Sequence, residues 1–373
     1  METRHLTLAR GDQRVTHIAV RKGWVVSALC SLSDESTWVV GATYVKDCGS
    51  QAFIKLAKSL DPSVPVSTHV SGVSISPDGV VGIALSNDGI HQYLLNDPIE
   101  QFASGRKLAL EPVRHTGNEI LRTFAWINDS FHRHSMAVLS KQENGRERIS
   151  VYGHTTNVLA TKRDVLCETP ADQIQFFDAS PYGHVTFITP GDTLDNCNLT
   201  ILSTNGSEAL FNKKMVRINN KERTACSLAV GNTHVVVGFA STVAAASDPI
   251  GCVEVYSLAR GNKLVASRAI PGAEPTALST YSTRVMVGAS QPQLFRWAVD
   301  QEAALSTSKS TLYAFSTKSN ENFAICKGGE EHPWWAVNTI AMSDSAWAYA
   351  RKVKNVENGE MYSVVEHASA VAI

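Results

Sequence analysis

The chain has 373 residues, of which 34 are Lys or Arg and 35 are Asp or Glu, for a net charge of −1. That balance excludes a whole-molecule preference for nucleic acid or an anionic membrane surface. Hydrophobic residues make up 43% and charged ones only 18%, a composition suited to strands buried between neighbouring sheets.

The opening Met-Glu-Thr-Arg-His-Leu-Thr-Leu lacks the apolar core of a secretory signal. No apolar run is long enough for a membrane helix. The seven cysteines are scattered, with no Cys-x-x-Cys pair, which argues against a disulfide scaffold or a zinc knuckle. A reduced intracellular chain, cytoplasmic or nuclear, is the expectation.

A strand-turn-strand phrase returns seven times along the chain, at a period of about fifty residues. Ile18-Ala19-Val20, a turn and Trp24-Val25-Val26 match Leu228-Ala229-Val230, a turn and His234-Val235-Val236. Ser76-Pro77-Asp78-Gly79 returns 104 positions on as Ser180-Pro181-Tyr182-Gly183, and Gly105-Arg106-Lys107-Leu108 returns 156 positions on as Gly261-Asn262-Lys263-Leu264. Strands are predicted over 15–20, 24–30, 38–45 and 52–57 in the first repeat. The second has 70–75, 80–85, 90–95 and 107–110, and the third 120–127, 135–139, 148–152 and 158–161. The fourth has 173–178, 184–188, 199–202 and 209–213, and the fifth 226–230, 234–239, 252–258 and 263–268. The sixth has 276–280, 284–288, 293–299 and 311–315. The seventh has only 337–342, 346–351 and 361–367, which leaves 5–9 at the front to complete it. Such a strand removes the free edge between first and last sheets.

Second strands pair bulky β-branched residues with a small one, as in Val25-Val26-Ser27, Val80-Val81-Gly82, Val236-Val237-Gly238 and Met286-Val287-Gly288. A missing side chain there lets the next sheet approach. Third strands carry an aromatic at Tyr93, Tyr152, Tyr256 and Trp297. These features resemble the WD-repeat propeller family over essentially the whole chain. The family's Trp-Asp ending is absent, the aromatic being followed by Leu94, Gly153, Ser257 or Ala298, and no repeat has its Gly-His pair. The resemblance implies an all-β fold, one seven-bladed β-propeller over 1–373, closed by the N-terminal strand pairing into the last blade. Packing is expected to stiffen the blades where the family's polar network is missing.

Candidate sites are few. His332-Pro333-Trp334-Trp335 closes a Ser-, Thr-, Asn- and Lys-rich stretch over 301–336, read as an insertion between blades six and seven. Adjacent tryptophans on one strand point to opposite faces, so His332, Trp334 and Trp335 are candidates for contact with a protein partner. Lys213, Lys214, Arg217, Lys221 and Arg223 form the one dense basic run, a candidate for RNA contact set against a solvated loop. His132-Arg133-His134 lacks a third ligand, so no metal is expected. Asp47, Asp78 and Asp178 are the acids that could lie near the axis, and Asp78 is explained by its Ser-Pro-Asp-Gly turn. With no phosphate loop, nucleophile elbow or zinc-protease motif in the sequence, no catalytic residue and no cofactor are expected. The function expected is a non-catalytic protein–protein interaction scaffold within a larger intracellular assembly. An RNA-binding propeller and an enzyme with its site at the channel are the alternatives.

Overall fold

The computed structural model describes residues 4–7, 13–31, 38–44, 51–55, 70–77, 79–86, 89–94, 119–127, 135–153, 162–170, 173–180, 182–191, 197–203, 209–215, 223–241, 251–259, 263–270, 273–290, 310–318, 322–327, 337–344, 346–354 and 361–369. Every regular element among them is a strand. After β1 (Arg4–Thr7), the first sheet is β2 (Gln13–Arg21), β3 (Trp24–Ser31), β4 (Trp38–Tyr44) and β5 (Gln51–Lys55). The second holds β6 (Val70–Ile75), β7 (Val80–Leu85) and β8 (Gly89–Leu94). The third is β9 (Ile120–Ile127), β10 (Ser135–Lys141), β11 (Glu147–Gly153) and β12 (Lys162–Thr169). The fourth is β13 (Phe176–Ala179), β14 (His184–Pro190), β15 (Cys197–Ser203) and β16 (Ala209–Met215). The fifth is β17 (Arg223–Val230), β18 (His234–Ser241), β19 (Gly251–Ser257) and β20 (Lys263–Ile270). The sixth is β21 (Glu274–Tyr281), β22 (Arg284–Ser290), β23 (Ser310–Ser316) and β24 (Asn322–Lys327). The last is β25 (Val337–Met342), β26 (Ala346–Lys354) and β27 (Met361–Ser369), with β1 antiparallel to β27 from Arg4↔His367 to Thr7↔Val364.

Each sheet is an antiparallel meander, and its first strand touches the first strand of the next. The contacts run β2 to β6, β9, β13, β17, β21 and β25, and β25 returns to β2. The core lies in the seams between successive sheets. One seam joins Val20, Val25 and Leu29 of the first sheet to Ala346, Ala348 and Val365 of the last. Another joins Val236, Val253 and Val255 to Leu278, Val285 and Val287.

Two predicted strands are corrected. The fourth strand of the third sheet is β12, Lys162–Thr169, whereas 158–161 lies outside the described residues. In the sixth sheet, β23 takes the third position, paired residue for residue with β22 from Arg284↔Ser316 to Ser290↔Ser310, and β24 takes the fourth. The predicted third strand at 293–299, with Trp297, lies outside the described residues. The stretch 301–336 therefore contains two strands of a sheet, and the surplus length falls at 291–309, inside the sixth repeat. Residues 107–110 also lie outside the described set.

The inner strands share a feature invisible in the hydrophobic pattern. Their pairing with the second strand slips by one residue in six sheets, leaving Thr16, Ser71, Arg122, Cys226, Thr276 and Asn338 as the extra residue. Such a bulge bends the strand and re-aims the extra side chain. Arg122, Cys226 and Thr276 donate to carbonyls of the following sheet's entry, Ile174 O at 3.2 Å, Pro275 O at 3.2 Å and Val337 O at 3.2 Å. Polar bonds from sheet to sheet thus supplement the packing expected to stiffen the blades.

The small residue of the second strand meets the next sheet as its pattern predicts. A Cβ built at Gly82 would lie 2.6 Å and 2.7 Å from ring atoms of Phe124 and 3.2 Å from the Trp126 indole nitrogen. Both rings are themselves buried, so neither can move aside. Gly82→Ala is expected to cost about 1–3 kcal/mol through overpacking; an unchanged urea midpoint would mean that the two sheets have slack here.

Candidate interaction site at the mouth of the central channel

All seven inner strands line one central cavity of about 520 Å³. Its walls run from mid-strand residues, such as His17, Ser74 and Asp178, to the turns that lead into the second strands. Those turns bring Lys22, Pro77, Tyr182, Asn232, Tyr281 and Asp344 to the mouth.

Side-chain bonds between successive inner strands hold the wall. Ser74 Oγ accepts from Trp126 N at 3.3 Å, and Asp178 Oδ2 accepts from Val230 N at 2.8 Å; each partner is 52 residues further on. The second pair is the first one shifted by two periods, with a carboxylate in place of a hydroxyl. At the mouth, Asn232 Oδ1 accepts from Ser282 N at 2.7 Å, while Thr233 Oγ1 donates to Ser282 O at 2.7 Å. These bonds hold Ser282 at φ 53°, a conformation that costs a non-glycine residue energy unless its surroundings impose it. Lys22 and Gly23, with φ 49° and 79°, make the doubly left-handed turn that suits a two-residue hairpin. Gly79 and Gly183 take φ 85° and 87° in the repeated Ser-Pro-x-Gly turns, where any other residue would be strained.

His17 and Asp178 lie deep in the molecule, yet a water-sized sphere still reaches both, because they face the cavity. Burial lowers the His17 imidazole to about 4, against a hydrogen bond to the Ser71 backbone. Burial raises the Asp178 carboxyl to about 6, against hydrogen bonds from Val230 and Ala179. Tyr281 is raised by burial first, then by Asp344 and by its neighbour Tyr182, with Arg21 opposing. The mouth thus gathers side chains from the first, fourth, sixth and last sheets, and Tyr182 is 51% exposed.

Asp178 gives the site a pH dependence with a definite sign. Between about pH 4 and pH 6 the folded chain holds a proton that the unfolded chain has released, so this residue's contribution to stability falls as pH rises through that window. His17 acts oppositely, its contribution rising between about pH 4 and pH 6.5. Urea unfolding of wild type and Asp178→Asn should therefore show a stability difference that shifts against the wild type by up to about 3 kcal/mol from pH 4 to pH 6. Parallel pH profiles would refute this.

The predicted site residues fare differently. His332, Trp334, Trp335, Arg217, Lys221, Asp47, Asp78 and the His132-Arg133-His134 run lie outside the described residues. Lys213 and Lys214 fall on β16, the strand at the outer end of the fourth sheet. Arg223 is a correction: it opens β17, is 7% exposed and hydrogen-bonds the Cys252 side chain, so it is not part of a solvated basic loop. Burial also pushes the Cys197 and Cys226 thiols up to about 12 and raises Cys252, which keeps all three protonated and unreactive. Among the described residues no group of three or more His, Cys, Asp or Glu could hold a metal, and no helix is long and apolar enough to cross a membrane.

No family model and no curated protein matches the chain. Solved structures do. Sqt1 of Chaetomium thermophilum, solved bound to the N-terminus of ribosomal protein L10, is 10% identical over 97% of this chain and 90% of that one, with a TM-score of 0.54. Polysaccharide lyase Uly1 is 8% identical over 95% and 89%, with a TM-score of 0.58. The chain is a β-propeller, a ring of antiparallel sheets joined inner strand to inner strand. An acylaminoacyl peptidase of Pyrococcus horikoshii matches over 94% of this propeller but only 51% of that chain, at 11% identity and a TM-score of 0.56. At these identities the likeness concerns the propeller fold alone, since unrelated functions share such folds.

Proposed function

We propose that this chain is a non-catalytic protein–protein interaction scaffold, a structural subunit of a larger intracellular assembly of the nuclear-pore, coat, chromatin or RNA-processing type. The observation that carries the reading is the set of side-chain bonds linking successive inner strands, from the bulges through Ser74 and Asp178 to the turns at the mouth. Those bonds hold the mouth in place before any partner arrives, so binding there loses little conformational entropy. Tyr182 and Arg21, at that mouth, belong to residue types that often dominate binding energy. Sqt1, a propeller of similar fold, was solved in complex with a segment of another protein. His332, Trp334 and Trp335 are proposed as a second contact region.

Affinity purification of the full chain from its native cell tests this. Stoichiometric protein partners are expected, and Trp334→Ala or Trp335→Ala should reduce recovery of at least one of them about tenfold, the effect of about 1.4 kcal/mol at an interface, with no change in thermal unfolding. If both variants keep every partner, that contact region is wrong. If wild type captures none, the scaffold reading fails.

A further inference from the structure

The inner wall of the channel carries a carboxyl group that is paired with no cation among the described residues. Among the described residues the Asp178 carboxyl accepts only from the N–H groups of Val230, at 2.8 Å, and of Ala179, also at 2.8 Å. A carboxylate has about four acceptor positions, so part of its capacity faces the cavity. Among the described residues neither Asp178 nor Asp344 has an ion pair, unlike Glu147 with Arg122 and Glu119 with Arg148. A carboxylate withdrawn from water without a counter-ion is costly, and a cation entering the cavity would offset that cost.

We propose that the mouth takes a single lysine or arginine side chain of a protein partner, its cation passing Tyr182 and Tyr281 to reach Asp178, with Asp344 at the rim. The cavity, about 520 Å³, has a volume typical of small-ligand pockets, roughly 300–1,000 Å³. Tyrosine faces attract a cation in transit. The other charged or titratable groups lining it are His17, Arg21 and Lys22. His17 is neutral at physiological pH and engaged with Thr16 and the Ser71 backbone. Arg21 and Lys22 lie together on the first blade, with Lys22 exposed at the tip of its turn. They repel a second cation and attract an anion, so the fitting segment pairs its one basic residue with an acidic neighbour. This rests on the scaffold reading for its partner, though the site itself can be probed separately.

Titration calorimetry on the full chain at pH 6 with acetyl-Glu-Arg-amide tests the inference directly, with acetyl-Glu-Leu-amide and acetyl-Arg-Arg-amide as controls. The first probe should bind at least tenfold more tightly than either control. Asp178→Asn and Asp344→Asn should each weaken it several-fold. In buffers of different ionisation heat, wild type should release a proton on binding, because the arriving cation ionises Asp178, and Asp178→Asn should not. If Asp178→Asn does not fold, Asp344→Asn decides, together with Lys22→Glu, which should tighten acetyl-Arg-Arg-amide. Equal binding of all three probes, or no loss in either aspartate variant, overturns the inference. Partner capture that persists while the probe fails sinks this site and spares the scaffold; probe binding without any captured partner does the reverse.

Discussion

Trp347→Ala is expected to destabilise the fold by about 3–5 kcal/mol, the range for deleting a large aromatic from a well-packed core. Trp347 lies on β26, is fully buried, and stacks on Tyr349 with ring centroids 5.7 Å apart and planes 16° from parallel. Around it pack Met286, Leu312 and Ala314 of the sixth blade and Val337 and Ile340 of the last. The alanine cavity would open at a seam between blades, where collapse requires two whole sheets to shift, so little of the loss can be recovered by relaxation. Trp347→Phe separates packing from hydrogen bonding. The Trp347 indole N–H has no hydrogen-bond partner among the described residues, so the phenylalanine variant removes an unsatisfied donor while losing part of the volume. Its cost should be less than half that of alanine. Urea unfolding of the three proteins measures this, and an alanine cost below about 1 kcal/mol would show that the seam is loosely packed.

The period and most strands of this fold are legible in the sequence because second strands are buried on both faces and so read as short β-branched runs. Val25-Val26, Val236-Val237 and Met286-Val287 are all buried, and their positions follow directly. Strands further from the axis are less legible. β12 reads Lys-Arg-Asp-Val-Leu-Cys-Glu-Thr, a mixture in which no face is plainly apolar, and its predicted place fell four residues short. The sixth blade misleads differently. Gln293-Leu294-Phe295-Arg296-Trp297 holds the apolar and aromatic residues that strands favour, but register comes from pairing, and β22 pairs with Ser310–Ser316.

The candidate site was half legible. Asp178 stood out as an acid near the axis, yet its partner is a backbone N–H, and every residue but proline has one. The readable signal was the spacing: Ser74 and Asp178 are 104 positions apart, and each bonds a residue 52 further on. Tyr182 was equally visible as the residue standing where the second repeat has Asp78. An aromatic in a polar turn that the repeat does not require is a reason to look at the turn's surroundings. The bulged side chains had no such signal, because Thr16, Arg122 and Cys226 share neither chemistry nor size.

Glu147 carries the other large prediction. It is fully buried at the start of β11, where one carboxylate oxygen pairs with the guanidinium of Arg122 and the other accepts Ile174 N at 2.6 Å. Arg122, the bulged residue of β9, donates also to Ile174 O at 3.2 Å. The two side chains therefore close on both polar groups of one peptide residue, at the point where the chain leaves the third blade for the fourth. Removing one partner of a buried pair costs more than the pair is worth, because it strands the groups left behind. Arg122 is 36% exposed and can rehydrate, but Ile174 N cannot. We expect Glu147→Ala to cost about 2–4 kcal/mol, at the low end of a buried-pair loss, and Glu147→Gln less, since the amide oxygen still accepts from Ile174. Arg122→Ala with Glu147→Ala should cost well under the sum of the singles, as groups sharing a network do. Urea unfolding of the four proteins gives the coupling directly. Strict additivity would mean that Glu147 holds Ile174 without help from Arg122, and that the bulge at Arg122 serves packing alone.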